Sequence, residues 1–333
     1  MIALLLLMVI GLGINPAAAS HEAESYIVMP DGQGGIGFDD MGYVPGLRKV
    51  LVPGGLTGNL YLIDPGTSGV TMINGFSIDH GYHGGHGQSV TSADEGKGFI
   101  FIADRDTRQL HVLDPKTRTT VVSAPLTGQP DYVRFIKTTN EVWVTEPSKE
   151  QIEVFKFSPD KPRLSHEMFI TVPGGPESLI EDHSRRLVYT HLWKGATVVI
   201  DAPTHALIKK WPNGCAGSRG IALDEKRGFL FAGCEEGKAV VLDLNHNGKE
   251  LSSFRSGSGV DLISYDPASA HLYLPGAQSA TMAILKVSPE GRLSLVKTIK
   301  TVKGGHCVAS DDRGDVWVCD PYNGRLLLFK DTL

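Results

Sequence analysis

The feature that most constrains this chain is internal repetition. Phe99-Ile-Phe-Ile-Ala-Asp104 leads to His111-Val-Leu-Asp114, and Val142-Trp-Val-Thr-Glu146 leads to Ile152-Glu-Val-Phe155. Leu187 to His191 leads to Thr197-Val-Val-Ile-Asp201, and Phe229 to Gly233 leads to Ala239-Val-Val-Leu-Asp243. Each unit is a β-branched and aromatic run, a polar turn and a second such run, which is the signature of a hairpin. The same pattern returns at Val50 to Asp64, His271 to Leu285 and Val316 to Phe329, giving seven copies. The closing aspartates Asp64, Asp114, Asp201 and Asp243 recur at one or two multiples of the roughly 40 to 50 residues expected of a propeller blade.

A blade needs two further strands. An outer one follows several hairpins (Thr119 to Ser123, Ala206 to Lys210, Leu293 to Lys300), and an inner one precedes most of them (Pro130 to Lys137, Pro176 to Asp182, Arg219 to Asp224, Val260 to Tyr265, His306 to Ser310). After Phe329 the chain stops without an outer strand for the seventh blade, whereas Ser25 to Met29 reads as a strand with no hairpin of its own. Pairing the two closes the ring and removes the exposed edges. The expectation is an all-β, seven-bladed β-propeller of four-stranded blades, with the N-terminal strand completing the last blade.

Ile2 to Ile14 is an apolar run followed by Ala17-Ala18-Ala19-Ser20, which reads as a signal peptide over residues 1–19 ahead of a single domain over 20–333. The run is shorter than the roughly 20 apolar residues of a bilayer-spanning helix, so no membrane insertion is expected after cleavage. The expected location is periplasmic or secreted. A formal net charge of −5 with interspersed signs argues against nucleic acid as a partner. A small molecule or a protein is the expected partner, and a monomer the expected state. Four cysteines, Cys215, Cys234, Cys307 and Cys319, in an exported chain suggest two local disulfides, one in each of two blades. Failing that geometry, Cys307 with His306 becomes a copper-type ligand pair.

The run-ends Trp143-Val-Thr-Glu146 and Val188-Tyr-Thr-His191 look like variants of the Tyr-Val-Thr-Asn signature. On these ends the chain resembles the YVTN-repeat propellers, in particular the exported YncE-like group. The resemblance implies the fold and covers essentially the whole mature chain, but it carries no substrate, because the motif is a structural repeat shared by many functions.

In a propeller, inner strands begin and second strands end on the same face, around the mouth of the central channel. The second-strand ends offer Asp104, Glu146, His191 and Asp320, and the inner-strand starts offer His86, Asp131, Glu177, Arg219, Asp261 and His306. Such groups are costly to desolvate unless paired or ligand-bound, so they form either a ligand-binding ring or an ion-pair network that locks blades together. Asp79-His80-Gly-Tyr-His83-Gly-Gly-His86 is the sharpest local feature. Its glycines let His80, His83 and His86 fold around an ion with His306, a divalent metal such as zinc, copper or calcium; otherwise the stretch is a solvated loop. Gly32-Gln-Gly-Gly-Ile-Gly37 reads as a turn, and the following Asp39-Asp40, on the first inner strand or its turn, either stay solvated or join the mouth carboxylates.

Two functions follow. One is an exported propeller binding a small ligand, metal ion or protein partner at this mouth. The other is a metal-dependent hydrolase or lyase, lactonase-like in kind, with His86 or His306 as acid or base and Glu146, Glu177 or Asp261 as metal ligands.

Overall fold

The structure is a computed structural model that describes residues 23–332; the apolar run and the cleavage region, 1–19, lie outside the described residues. Among the described residues, twenty-eight strands form seven four-stranded antiparallel sheets. Blades 1 to 6 follow chain order over 42–74, 90–125, 133–171, 180–212, 218–255 and 264–300. Blade 7 takes three strands from 308–330 and its outer strand from Ser25–Val28, which pairs antiparallel with Arg325–Lys330 from Ser25 opposite Leu328 to Val28 opposite Arg325. The ring is therefore closed by the first strand, as the missing outer strand required.

The second and third strands of each blade are buried on both faces, and their apolar runs interlock between neighbouring sheets. Trp143, Trp317, Tyr61, Tyr189 and Tyr273 are the largest fully buried side chains. The periodic aspartates have a local cause. Each ends a third strand and turns its carboxylate back onto the following backbone: Asp64 accepts from Gly66 N at 2.9 Å, Asp114 from Lys116 N at 2.8 Å, Asp201 from Thr204 N at 3.0 Å and Asp243 from Asn245 N at 2.8 Å. Such side-chain turns stop a hairpin at a fixed register.

Except in blade 5, where Ser218–Asp224 covers the expected span, the inner strands are shorter than the sequence suggests. Residues 130–137 yield Val133–Ile136, and 260–265 yield only the start of Ser264–Asp266. The rim residues before them are held by single bonds, such as Asp131 N to Thr145 O and Glu177 N to His191 O, both 2.9 Å. In blades 3, 4, 6 and 7 the residues just ahead of the inner strand, Asp131, Glu177, Asp261 and His306, leave the ladder and face the opening, and in blade 5 Arg219 does so at a register shift.

One of the two expected disulfides forms. Cys215 is bonded to Cys234, while Cys307 and Cys319 are free and buried. Here the second bridge expected from the sequence is not made. Cys319 N donates to Cys307 O at 3.1 Å, and Cys307 N donates to Cys319 Sγ at 3.0 Å, which turns that sulfur to the backbone rather than to its neighbour.

Candidate functional site

A cavity of 430 Å³ opens at one end of the channel. Its wall carries every predicted inner-strand start: His86, Asp131, Glu177, Arg219, Asp261 and His306. Arg105, Trp193, Glu235, Tyr82 and Tyr322 also line it. The cations are already paired: Arg105 Nη1 lies 3.0 Å from Asp131 Oδ1, and Arg219 reaches Glu177 at 3.0 Å and Glu235 at 2.9 Å while stacking on Trp193 at 3.9 Å. A second cavity, of 370 Å³, lies at the far ends of the inner strands, where Arg134 grips Asp40 through two bonds of 2.5 and 2.8 Å.

Burial dominates the electrostatics of the mouth. It raises Glu177 to about 9, with Asp131 adding repulsion and Arg219 opposing. It raises Asp131 to about 7, reinforced by Asp39 and opposed by Arg105. For His86, burial opposes the charge but is outweighed by Asp39 and Asp261, which lift it to about 9. His86 stands between these carboxylates, with Nδ1 3.4 Å from Asp39 Oδ2 and Nε2 3.4 Å from Asp261 Oδ2. Asp39 Oδ2, His86 Nδ1, Glu177 Oε2 and Asp261 Oδ2 are buried and have no hydrogen-bond partner.

His306 packs against His86 with ring centres 4.8 Å apart, but its nitrogens are engaged elsewhere. Nε2 meets Phe38 O at 2.9 Å and Nδ1 meets Gly304 O at 2.6 Å. Carbonyls only accept, so both nitrogens donate and the ring is an imidazolium. Cys319 Sγ lies 3.8 Å from Nδ1.

The predicted second-strand ends lie elsewhere. Asp104 accepts from Ser77 N and Oγ at 2.8 and 2.6 Å. Glu146 accepts from Gly128 N at 2.7 Å and Gln151 Nε2 at 2.6 Å, and Asp320 from Arg325 Nε at 2.8 Å. His191 is fully buried against Thr197 Oγ1 at 2.9 Å, and burial lowers it to about 4. These four serve the packing between strands and blades rather than the cavity. The cavity takes the residue one or two places further on: Arg105 after Asp104, Pro147 after Glu146, Trp193 after His191, Tyr322 after Asp320. All four lie just past the end of the second strand, where the chain turns at the rim.

The histidine loop does not gather its three rings. His80 and His83 are exposed, and only His86 reaches a cluster of donors, with Asp261 and His306. The glycine run is more than a turn, because the loop rests on it. A Cβ on Gly35 would meet the Tyr82 ring at 2.5 Å, and one on Gly37 would meet Gly85 O at 2.8 Å. Asp39 and Asp40 are both buried rather than solvated, Asp39 against His86 of the mouth and Asp40 against Arg134.

No family model matches this sequence. No curated protein matches it either. Solved structures match in fold: one titled as the mitotic checkpoint complex has a TM-score of 0.75 at 12% identity over 99% of this chain and 98% of that one. The Cps50 (Swd1) β-propeller domain of Myceliophteria thermophila gives 0.73 at 12% identity, over 93% of this chain and 100% of that domain. Hydrazine synthase of Kuenenia stuttgartiensis gives 0.72 at 11% identity, over 92% and 97%. At such identities the likeness is one of architecture, and it places this chain in the class of seven-bladed β-propellers.

Proposed function

We propose that this chain is a binding propeller of the extracytoplasmic space whose mouth takes a small organic ligand through a cationic centre, a protonated amine. The observation that carries the reading is the set of buried carboxylate oxygens without a hydrogen bond, Glu177 Oε2 on the wall and Asp261 Oδ2 and Asp39 Oδ2, which only His86 faces, at 3.4 Å. An ammonium group supplies donors to such oxygens and replaces the protons that Asp131 and Glu177 otherwise hold. A volume of 430 Å³ suits a small organic molecule rather than a bare ion. Tyr82, Trp193 and Tyr322 give the opening an aromatic lip, which favours cations. The Cys215–Cys234 bond supports an oxidising compartment. No described helix is long and apolar enough to cross a membrane. The resemblance of the repeat ends to exported YVTN-type propellers points the same way.

The test is calorimetric titration of the purified chain with a panel of primary and quaternary amines, beside calcium and manganese salts. The expected result is saturable amine binding that tightens from about pH 6 to about pH 8 and is lost in Asp261→Asn. Binding of the metal salts alone, or of no probe, would overturn the reading.

A further inference from the structure

Behind the mouth, on the other side of His306, lies a second set of groups that the amine reading does not use. We propose that Cys307, Cys319 and His306 form a buried three-coordinate site for a soft monovalent metal ion, copper(I). The inference does not rest on the function proposed for the mouth.

One nitrogen and two sulfurs lie within 4.8 Å of one another, all on buried residues. The sulfurs remain unbonded although the equivalent pair in blade 5 is joined. Two donors at about 2.0 and 2.3 Å from a shared metal and about 120° apart stand roughly 3.8 Å from each other. His306 Nδ1 and Cys319 Sγ are 3.8 Å apart. The other ring nitrogen is anchored as a metal-bound imidazole requires, since Nε2 donates to Phe38 O at 2.9 Å and so fixes Nδ1 as the coordinating atom.

Identity follows from donor type and number. Thiolates select copper(I), zinc or iron–sulfur centres, and a structural zinc site takes four donors. Among the described residues this group offers three, two of them sulfur. Copper(I) accepts a trigonal set. The ion arrives already reduced, so no electron is transferred: it forms one bond to nitrogen and two to sulfur while the Nδ1 proton and the thiol protons leave to solvent. Nδ1 gives up its bond to Gly304 O in exchange. The path runs through the cavity, because His306 is part of its wall beside His86 and Asp261.

The experiment is competition of the purified full-length chain against a chromophoric copper(I) chelator in the absence of oxygen. X-ray absorption of the wild-type complex accompanies it. One tightly held equivalent is expected, with a shell of two sulfurs and one nitrogen. Cys319→Ser should weaken it by more than about 100-fold, the upper limit of what a lost supporting contact costs. Cys319→Ser should leave amine titration unchanged, and Glu177→Gln should leave copper binding unchanged, so the two readings fail separately. Three results would each overturn the site: no stoichiometric copper(I), a shell without sulfur, or no free thiol in the unreduced, unfolded protein. The absorption measurement needs no variant and decides the matter even where Cys319→Ser fails to fold.

Discussion

Glu177→Gln isolates the electrostatic cost of the mouth. Gln keeps the shape of the side chain and an oxygen for Arg219, whose Nη1 lies 3.0 Å from Glu177 Oε1, but it no longer titrates. Glu177 is raised from 4.5 to about 9, chiefly by burial and next by Asp131. For a carboxyl raised on folding, the native state holds a proton that the unfolded chain has released. The penalty is therefore absent below about pH 4.5 and grows as pH rises toward 9. At about pH 8 the gap is roughly 3.5 units, and at 1.36 kcal/mol per unit the ceiling is about 5 kcal/mol. Glu177 and Asp131 titrate together, so neither group bears the whole of it, and about 2 kcal/mol is expected for one substitution.

An unfolding entropy of about 2.1 cal/mol/K per residue over 333 residues is about 0.7 kcal/mol/K, which converts that gain to roughly 3 °C. Scanning calorimetry at about pH 5 and about pH 8 reads it directly. The variant should melt with the wild type near pH 5 and about 3 °C above it near pH 8. An equal offset at both values, or a variant less stable near pH 8, would mean that Glu177 is ionised throughout and would refute the crowded-carboxylate argument.

The opposite sign is expected at His191, lowered to about 4 by burial. Its unfolded form takes a proton from about pH 6.5 downward, so stability is lost as pH falls toward 4, by a ceiling of about 3 kcal/mol. His191→Gln should flatten that acid limb in urea unfolding series, and an unchanged limb would count against it. Reducing Cys215–Cys234, which closes a loop of sequence separation 19, should cost about 3 kcal/mol in the same assay; no change on adding dithiothreitol would contradict that. Arg134→Ala strands the buried Asp40 carboxylate and should cost about 3 kcal/mol or more, read by denaturant midpoint. Deleting residues 25–28 uncovers Arg325–Lys330 as a free edge, and light scattering should show association that the intact chain lacks.

The blades were legible because the signal is repeated. A single Phe-Leu-Phe-Ala-Gly run is ambiguous, but seven such hairpins, four of them closed by an aspartate at a recurring station, are not. The same redundancy exposed the missing outer strand and its replacement at Ser25–Val28. What sequence could not supply was the facing of side chains where the period ends. The sequence columns put Asp104, Glu146, His191 and Asp320 at the mouth, but their side chains are taken up within and between the blades, and Arg105, Trp193 and Tyr322, just past the strand ends, take the opening. Counting one residue past Asp104 reaches Arg105, and two past His191 and Asp320 reach Trp193 and Tyr322.

The rest of the site breaks the repeat, so its contacts cannot be read from the period. Asp39 comes from irregular backbone ahead of blade 1, and only long-range packing sets it against His86, 47 positions on by the numbering. Gly35 and Gly37 matter through what rests on them, the Tyr82 ring and the backbone at Gly85, and nothing in a local window announces that contact. The two cysteine pairs show the limit most plainly. Each links an inner-strand approach to the following strand, with separations of 19 and 12, yet one pair bonds and the other does not. The difference lies in neighbours. Ser218 opposes Cys234 in blade 5, whereas Cys319 takes the Cys307 amide and faces the Nδ1 of His306, itself oriented by Phe38 from the other end of the chain. A disulfide rule that counts cysteines sees two equal pairs. A rule that counts donors around each sulfur separates a staple in blade 5 from a metal-ready cluster in blade 7, and copper(I) competition is the measurement that tells whether the separation is real.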